Sequence, residues 1–354
     1  MTKAVDPPLR LLLVGAGRIA SDWLRVIDKV PAVDLVGIAD LRFDLAKAVA
    51  ETRGVPAHAT VEAALAAGAV DAALVAVPPS SHVSVSQRCL EAGAHVLCEK
   101  PFTLDRASAE RLFEVADQRG LHLSMSAKFR HVPDVIAAKA RLAAGAIGEP
   151  LCVRQSFLGV VPMRDRWNSD PAQSGGGVWI DNGTHSVDLL RYLFGPIAWV
   201  VATAPRANDD LAVEDTMRVL CGFATGAAAA SGMTAVIDTS WSLPATEAYY
   251  LECFGTAGSL HLGWSASILR SDARRVLHVG DGYDKMLALQ RQLEHFVACA
   301  RGLEEPVLDR EDILASVVVI EAGYRSLRDA GRRCAVEDTV ACTDESSDSA
   351  EGKR

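Results

Sequence analysis

The sequence lacks the patterns that would tie it to a membrane, a disulfide scaffold or a nucleic acid. No apolar stretch approaches the ~20 residues needed to span a bilayer. The opening MTKAVDPPLR has neither a long apolar core nor a small-residue cleavage site, so no signal peptide is expected. An alanine-rich run at 224–230 is short and broken by Gly226, and is expected to be a buried strand or turn. Eight cysteines are scattered, none in a C-x-x-C pair and several inside apolar runs. That excludes a disulfide framework and points to buried free thiols in a reducing, cytoplasmic setting. Positive charge is in deficit: 36 Lys and Arg face 45 Asp and Glu, a formal net charge of -9. Phosphate backbones demand a basic face, so nucleic acid is not an expected partner. No internal repeat is visible.

What is present is an ordinary globular composition in a chain of 354 residues, too long for one comfortable core and suited to two domains. Residues 9–14, 34–39, 71–77, 95–98 and 121–124 are strand-length and apolar or β-branched. Helical patterns at 19–29, 44–53, 61–67, 83–92 and 106–118 alternate with them. Strands separated by helices imply parallel βαβ units, hence a doubly wound Rossmann-type α/β sheet over about residues 1–125. Beyond, helices are expected at 178–193, 286–301 and 311–330. Strands are expected at 197–203, 216–221, 232–238, 249–254 and 259–262. Strands with few intervening helices read as a large, mostly antiparallel open sheet in a second α+β domain, 126–335, whose last helix packs back on the body. The polar segment 336–354 is expected to be a disordered tail.

The first strand runs into Val14-Gly15-Ala16-Gly17-Arg18-Ile19-Ala20, a G-x-G-x-x-A loop opening a helix. Gly15 permits the tight turn, Gly17 lets backbone approach a pyrophosphate, and Ala20 lets helix and strand pack closely. Free N–H groups at the helix start, around Arg18 and Ile19, suit the phosphates. Asp40 closes the second strand 20 residues beyond Ala20, where a carboxylate can bind both ribose hydroxyls and repel a 2′-phosphate. NAD is therefore favoured, with NADP left open by Arg42; a plain strand-end turn is the other role for Asp40.

Three further motifs follow: Val77-Pro78-Pro79-Ser80-Ser81-His82, then Glu99-Lys100-Pro101, then the run from Gly175 through Asp181-Asn182-Gly183-Thr184-His185 to Asp188. In this order and spacing, over about residues 9–335, the chain resembles the Gfo/Idh/MocA oxidoreductases, the glucose-fructose oxidoreductase and inositol dehydrogenase family. The first two motifs lie at carboxyl ends of parallel strands, where open α/β sheets place ligands. Val77 and Pro78 would pack on the nicotinamide end with His82 beside them, although His82 could equally cap the next helix. Lys100, between Glu99 and a proline that favours extended backbone, could polarise the reacting oxygen. Asp181 and His185, four apart on a predicted helix, share a face. His185 can then take the hydroxyl proton while Asp181 orients it.

The resemblance implies that Lys100, Asp181 and His185 form the catalytic and substrate-binding set. A metal held by Asp181, His185 and Asp188 is the chief chemical alternative, and a core role for His185 the structural one. None is needed as a metal when a nicotinamide carries the hydride. Trp167 resembles a residue that reaches over the nicotinamide, or is core. Asn182 could donate to a sugar hydroxyl or cap the helix. Lys128-Phe129-Arg130 departs from the Asn-x-Arg-Phe-like stretch of many relatives, leaving its substrate contact open.

The resemblance thus implies an NAD(P)-dependent enzyme moving a hydride to or from a secondary hydroxyl or ketone of a sugar, sugar derivative or cyclitol. An NAD-dependent glycosidase and a non-catalytic dinucleotide-binding regulator are the other two classes. The open sheet implies a homodimer or homotetramer.

Overall fold

A computed structural model describes residues 6–205, 210–271 and 275–336. Its first sheet contains β1 (Leu9–Val14), β2 (Val33–Ala39), β3 (Ala57–His58), β4 (Ala72–Val75), β5 (His95–Cys98) and β6 (Leu123–Met125). All pairings are parallel, in the order β3-β2-β1-β4-β5-β6. The crossovers run through α1 (Arg18–Ile27), α2 (Phe43–Glu51), α3 (Val61–Ala67), α4 (His82–Glu91) and α5 (Arg106–Arg119). Helices on both faces explain why the strands are continuous apolar runs. Leu12 and Val14 point into one core with Val75 and Val96, while Leu11 and Leu13 point into the other with Ile38 and Leu74. Each such fully buried side chain contributes roughly 1.5–3 kcal/mol. Strand order reverses between β1 and β4, and the crevice at their carboxyl ends is where this topology binds ligands.

After α6 (Pro133–Ala143) comes a nine-stranded sheet: β7 (Pro150–Leu158), β8 (Ile197–Thr203), β9 (Thr216–Phe223), β10 (Thr234–Ser240), β11 (Tyr249–Gly255), β12 (Gly258–Gly263), β13 (Ser267–Ser271), β14 (Val276–Gly280) and β15 (Cys334–Ala335). The order is β14-β13-β12-β11-β7-β10-β9-β8-β15, and β7 with β10 is the single parallel pair among otherwise antiparallel neighbours. The remaining helices are α7 (Pro171–Ser174), α8 (Thr184–Phe194), α9 (Gly226–Ala230), α10 (Lys285–Ala300) and α11 (Arg310–Arg328). Leu289, Leu293, Phe296 and Val297 of α10 join α1 on one face of the first sheet. Ile313 and Val317 of α11 reach the other face, while its Val319, Ile320 and Ala322 belong to the core under the second sheet.

Several sequence expectations need correction. The central strand β7 carries a buried Gln155 at an inward position, 1% exposed, which interrupts the apolar alternation that marks a strand. The alanine run is neither a buried strand nor a simple turn but the short, mostly exposed helix α9. The single helix expected at 178–193 is a π-helical turn, Trp179–Gly183, running into α8. Cys89, Cys98, Cys221 and Cys253 are buried free thiols, but Cys152 is exposed and Cys299 and Cys334 are half-buried. Burial pushes Cys89, Cys221 and Cys253 up to about 12, where a thiol is inert. No helix among the described residues is long and apolar enough to cross a membrane. Cys342 and the tail expected to be disordered, apart from Val336, lie outside the described residues.

Candidate active site

The glycine loop joins β1 to α1. Gly15 has φ +101, and a Cβ there would lie 2.3 Å from the carbonyl oxygen of Ala76 at the end of β4. Only glycine fits that turn. Gly17 is different: a Cβ would meet nothing within 4 Å. It precedes α1 with extended backbone and no side-chain cap, so the first N–H groups of that helix face open space. Asp40 reaches back to this loop, accepting from Ala16 N at 2.8 Å through one oxygen and from Arg42 N at 2.8 Å through the other. Arg42 Nε stands 3.6 Å from the same carboxylate and its side chain is largely exposed. An open backbone cradle, a helix start and a carboxylate with spare lone pairs fit the pyrophosphate and ribose of a dinucleotide. Arg18 is exposed and Ile19 half-buried at the start of α1.

At the end of β5, Glu99 is buried and its Oε1 accepts from the indole of Trp23 in α1 at 2.7 Å, while Oε2 accepts from Lys100 N at 3.2 Å. Trp23 is fully buried and was not singled out in the sequence, because at its place in α1 it reads as core. The Lys100–Pro101 bond is cis. Lys100 Nζ pairs with the Asp181 carboxylate and donates to the Asp181 carbonyl at 3.1 Å. Val77 and Pro78 are half-buried at the end of β4. His82 does not sit open beside them: it is fully buried, with Nδ1 2.8 Å from Pro101 O and Nε2 2.9 Å from Val77 O. It therefore packs between the two strand-end loops, and as a neutral imidazole donates to one of the two carbonyls.

Asp181 lies in the π-helical turn and His185 in the first turn of α8, so the helix that carries them is not regular between the two. The turn has a steric cause. Trp179 is wedged between Gly183 and Gly323, where added Cβ atoms would lie 2.3 and 2.4 Å from its ring, and its indole donates to Ile320 O at 3.0 Å. Glu214 holds the start of the turn, accepting from Gly177 N at 3.1 Å, Trp179 N at 3.0 Å and Tyr324 OH at 2.8 Å. No local motif announces Glu214, since its partners are far along the chain. Asn182 is half-exposed in the turn, and its carbonyl accepts from Ser186 Oγ at 3.3 Å.

His185 is buried, with its ring edge-on to Phe129 at 5.5 Å, and has no hydrogen-bond partner among the described residues. Burial first, then the charges of Lys128, Lys100 and Lys285, hold its pKa well below the usual imidazole value. Lys128 thus belongs to the site, from the one-turn helix 128–131 after β6. Burial and repulsion from Lys100 and Lys285, partly opposed by Glu99 and Asp181, bring Lys128 down to about 8. Lys285, at the start of α10, pairs with Asp22 of α1, which also holds Arg25 at 2.7 Å. Phe129 stacks on Tyr283 at 5.0 Å and on Phe157 at 5.2 Å, and Tyr283 meets the partly exposed Trp264 at 5.6 Å. These aromatics wall the site from three separate strands and loops.

Asp188 faces away from this cluster into a buried ion network. Arg130 Nε donates to it at 2.8 Å while Arg130 Nη1 holds Asp312 at 2.7 Å, and Arg191 reaches Asp312 at 3.0 Å. Its carboxylate is committed to that pairing. Trp167 is 38% exposed on a one-turn helix preceding α7, and α7 packs against the turn Pro79–Ser81. No ring contact with Trp167 is made among the described residues.

Comparison with known proteins bears on this geometry. Residues 9–127 match the description "Oxidoreductase family, NAD-binding Rossmann fold", and residues 135–261 match the "GFO/IDH/MocA C-terminal domain". The chain is 27% identical to D-apiose dehydrogenase of Paraburkholderia graminis, over 90% of this chain and 87% of that protein. It is 28% identical to the rhizopine catabolism protein MocA of Rhizobium meliloti, over 90% and 95% respectively. The crystal structure of GenD2 from gentamicin A biosynthesis, in complex with NAD, superposes with a TM-score of 0.81 at 26% identity, covering 94% of this chain and 97% of that one.

Proposed function

Because the chain belongs to the GFO/IDH/MocA family of NAD(P)-dependent oxidoreductases, we propose that it moves a hydride to or from a secondary hydroxyl or ketone of a sugar, sugar derivative or cyclitol. Lys100 polarises the reacting oxygen and His185 serves as general acid/base. The observation that carries this is the pairing of Lys100, just past the end of β5, with Asp181 in the turn opening α8. His185, at the start of α8, is near enough for the charge of Lys100 to help depress its pKa.

Bound NAD would lie with its phosphates against Gly17 and α1 and its ribose at Asp40, and would supply the hydride acceptor. The rest belongs to the chain. Lys100 Nζ spends two of its three donors on Asp181, one on the carboxylate and one on the carbonyl, which leaves one for a substrate oxygen. Held in that way, the ammonium needs no reorganisation as negative charge grows on the oxygen. His185 is neutral because burial and three ammonium groups oppose its protonation, so a ring nitrogen can accept the hydroxyl proton. In the reverse direction it returns that proton to the alkoxide oxygen. Asp181 positions Lys100 rather than the imidazole, since no hydrogen bond joins it to His185 among the described residues. Trp264 and Tyr283 offer ring faces suited to the C–H faces of a cyclic polyol.

The test is a panel of sugars and inositols with NAD and NADP, followed by nicotinamide absorbance. Turnover with retained cofactor preference for NAD supports the proposal, and a dinucleotide-loaded protein inert across the panel overturns it. The proposal extends to assembly as a homodimer or homotetramer through the second sheet, which leaves Leu151, Val276 and Leu277 exposed. A single protomer mass in light scattering across concentrations refutes that part.

A further inference from the structure

The carboxylates around the site are nearly all spoken for. Asp181 is paired with Lys100, and Asp22 is shared between Lys285 and Arg25. Glu99 has one oxygen on the Trp23 indole and the other on the backbone of Lys100. Lys128 is the ammonium left over. Among the described residues it has neither a carboxylate nor a hydrogen-bond acceptor, only the ring of Phe129 with its centroid 5.7 Å away. It is half-buried on the short helix that also places Phe129 edge-on to His185, so its charge acts on the same space as the reacting group.

We propose that Lys128 receives an anionic group of the substrate, a carboxylate or a phosphate ester, so that the chain acts on acidic sugars or cyclitols in preference to neutral ones. This rests on the function proposed above and narrows its substrate class. A hydroxyl would accept one hydrogen bond from Lys128 but bring no charge, leaving three ammonium groups to repel one another across a partly dehydrated site. An anion satisfies the donors of Lys128 and removes that repulsion together. The lowered pKa of Lys128 agrees with this, because burial first and the charge of Lys100 next oppose its ammonium, against the attraction of Glu99 and Asp181. The bound anion would restore full protonation.

The experiment uses the full chain loaded with NAD, as wild type, Lys128→Gln and Lys128→Arg. Three probes share one ring: D-glucose, D-glucuronate and D-glucose 6-phosphate. Binding is followed by quenching of tryptophan fluorescence, and turnover by NAD reduction. For wild type, kcat/KM or affinity should favour one acidic probe over glucose by about tenfold or more, the scale of one charge-assisted hydrogen bond. The preference should shrink as salt rises. Whichever acidic probe gains identifies carboxylate or phosphate as the group read. Lys128→Gln should abolish the acid-to-neutral ratio, while Lys128→Arg, which keeps the charge, should retain most of it and serves as the folding control. Glucose turned over or bound as well as either acid overturns the anion proposal while leaving the oxidoreductase reading standing. Equal losses for acidic and neutral probes in Lys128→Gln also overturn it, since Lys128 would then serve an oxygen common to all three. Failure of every probe to bind or react with the NAD-loaded protein overturns both.

Discussion

The two glycines of the cofactor loop should fail differently when a methyl group is added. Gly15→Ala places a β-carbon in a φ +101 backbone, 2.3 Å from Ala76 O. The backbone strain costs on the order of 1–3 kcal/mol, and the overlap with a main-chain atom that cannot rotate away adds a further ~1–3 kcal/mol. A loss of roughly 2–6 kcal/mol should appear as a large drop in the denaturant midpoint with unchanged m-value. Gly17→Ala meets nothing within 4 Å and its backbone is already extended. Reduced unfolded-state entropy favours alanine by about 0.4–1 kcal/mol, while alanine is a poorer N-cap than glycine by a similar ~1 kcal/mol. Stability should therefore move by no more than ~0.5 kcal/mol. The methyl would occupy the space through which a pyrophosphate approaches the helix start, so NAD affinity should fall at least about tenfold, ~1.4 kcal/mol. Urea titration with and without NAD measures both quantities in one experiment, since a ligand that binds only the native state raises the midpoint with the logarithm of its concentration over Kd. A Gly17→Ala protein that binds NAD like wild type would show that the phosphates do not lie on α1. A fully stable Gly15→Ala protein would refute the steric argument for the turn.

Other outcomes follow from the same geometry. Lys100→Met and His185→Gln should each lower kcat by about 10²–10⁴-fold while NAD affinity, measured by calorimetry, stays near wild type; full activity in both would refute the assigned roles. The acid limb of kcat/KM for alcohol oxidation should lie well below pH 6.5, because His185 is held neutral by burial and by Lys128, Lys100 and Lys285; a limb near 6.5 or above would argue against this base. Burial also lowers His122 to about 4 and His131 to about 3. Folded pKa values below the unfolded one mean that the unfolded chain takes up protons first, so stability is intact above pH 6.5 and should fall through the window from 6.5 to about 3. Urea midpoints at pH 7 and pH 5 test that sign. Arg130→Met should cost about 3–5 kcal/mol by stranding buried Asp188, and the double variant with Asp188→Leu should recover much of it; equal instability of single and double variants would refute the ion-pair explanation.

The glycine loop and the E-K-P segment were legible before any coordinates, because each is a local pattern whose neighbours in sequence are its neighbours in space. Lys100 and Asp181, by contrast, stand 81 residues apart and were joined only by the resemblance. The parallel sheet was legible from local pattern too: helices cover both faces, so its strands are unbroken apolar runs. Strand β7 was not, since Gln155 sits where an apolar residue would mark the inward face, and only the neighbouring strands make that position interior. His82, a site candidate by position, lies buried between two strand-end loops, an environment that only packing decides.

What the linear order of residues determined by itself was the cofactor end of the molecule, where main-chain geometry forces the choice of glycine and a strand end forces the place of Asp40. The surroundings of Lys100, Asp181 and His185 were decided by tertiary structure. Lys128, Lys285, Tyr283 and Trp264 come from segments with no common motif, and their roles arise only when the second sheet and α10 fold over the crevice. There, burial and the charges of three lysines hold His185 neutral, and Lys128 meets a ring but no carboxylate among the described residues.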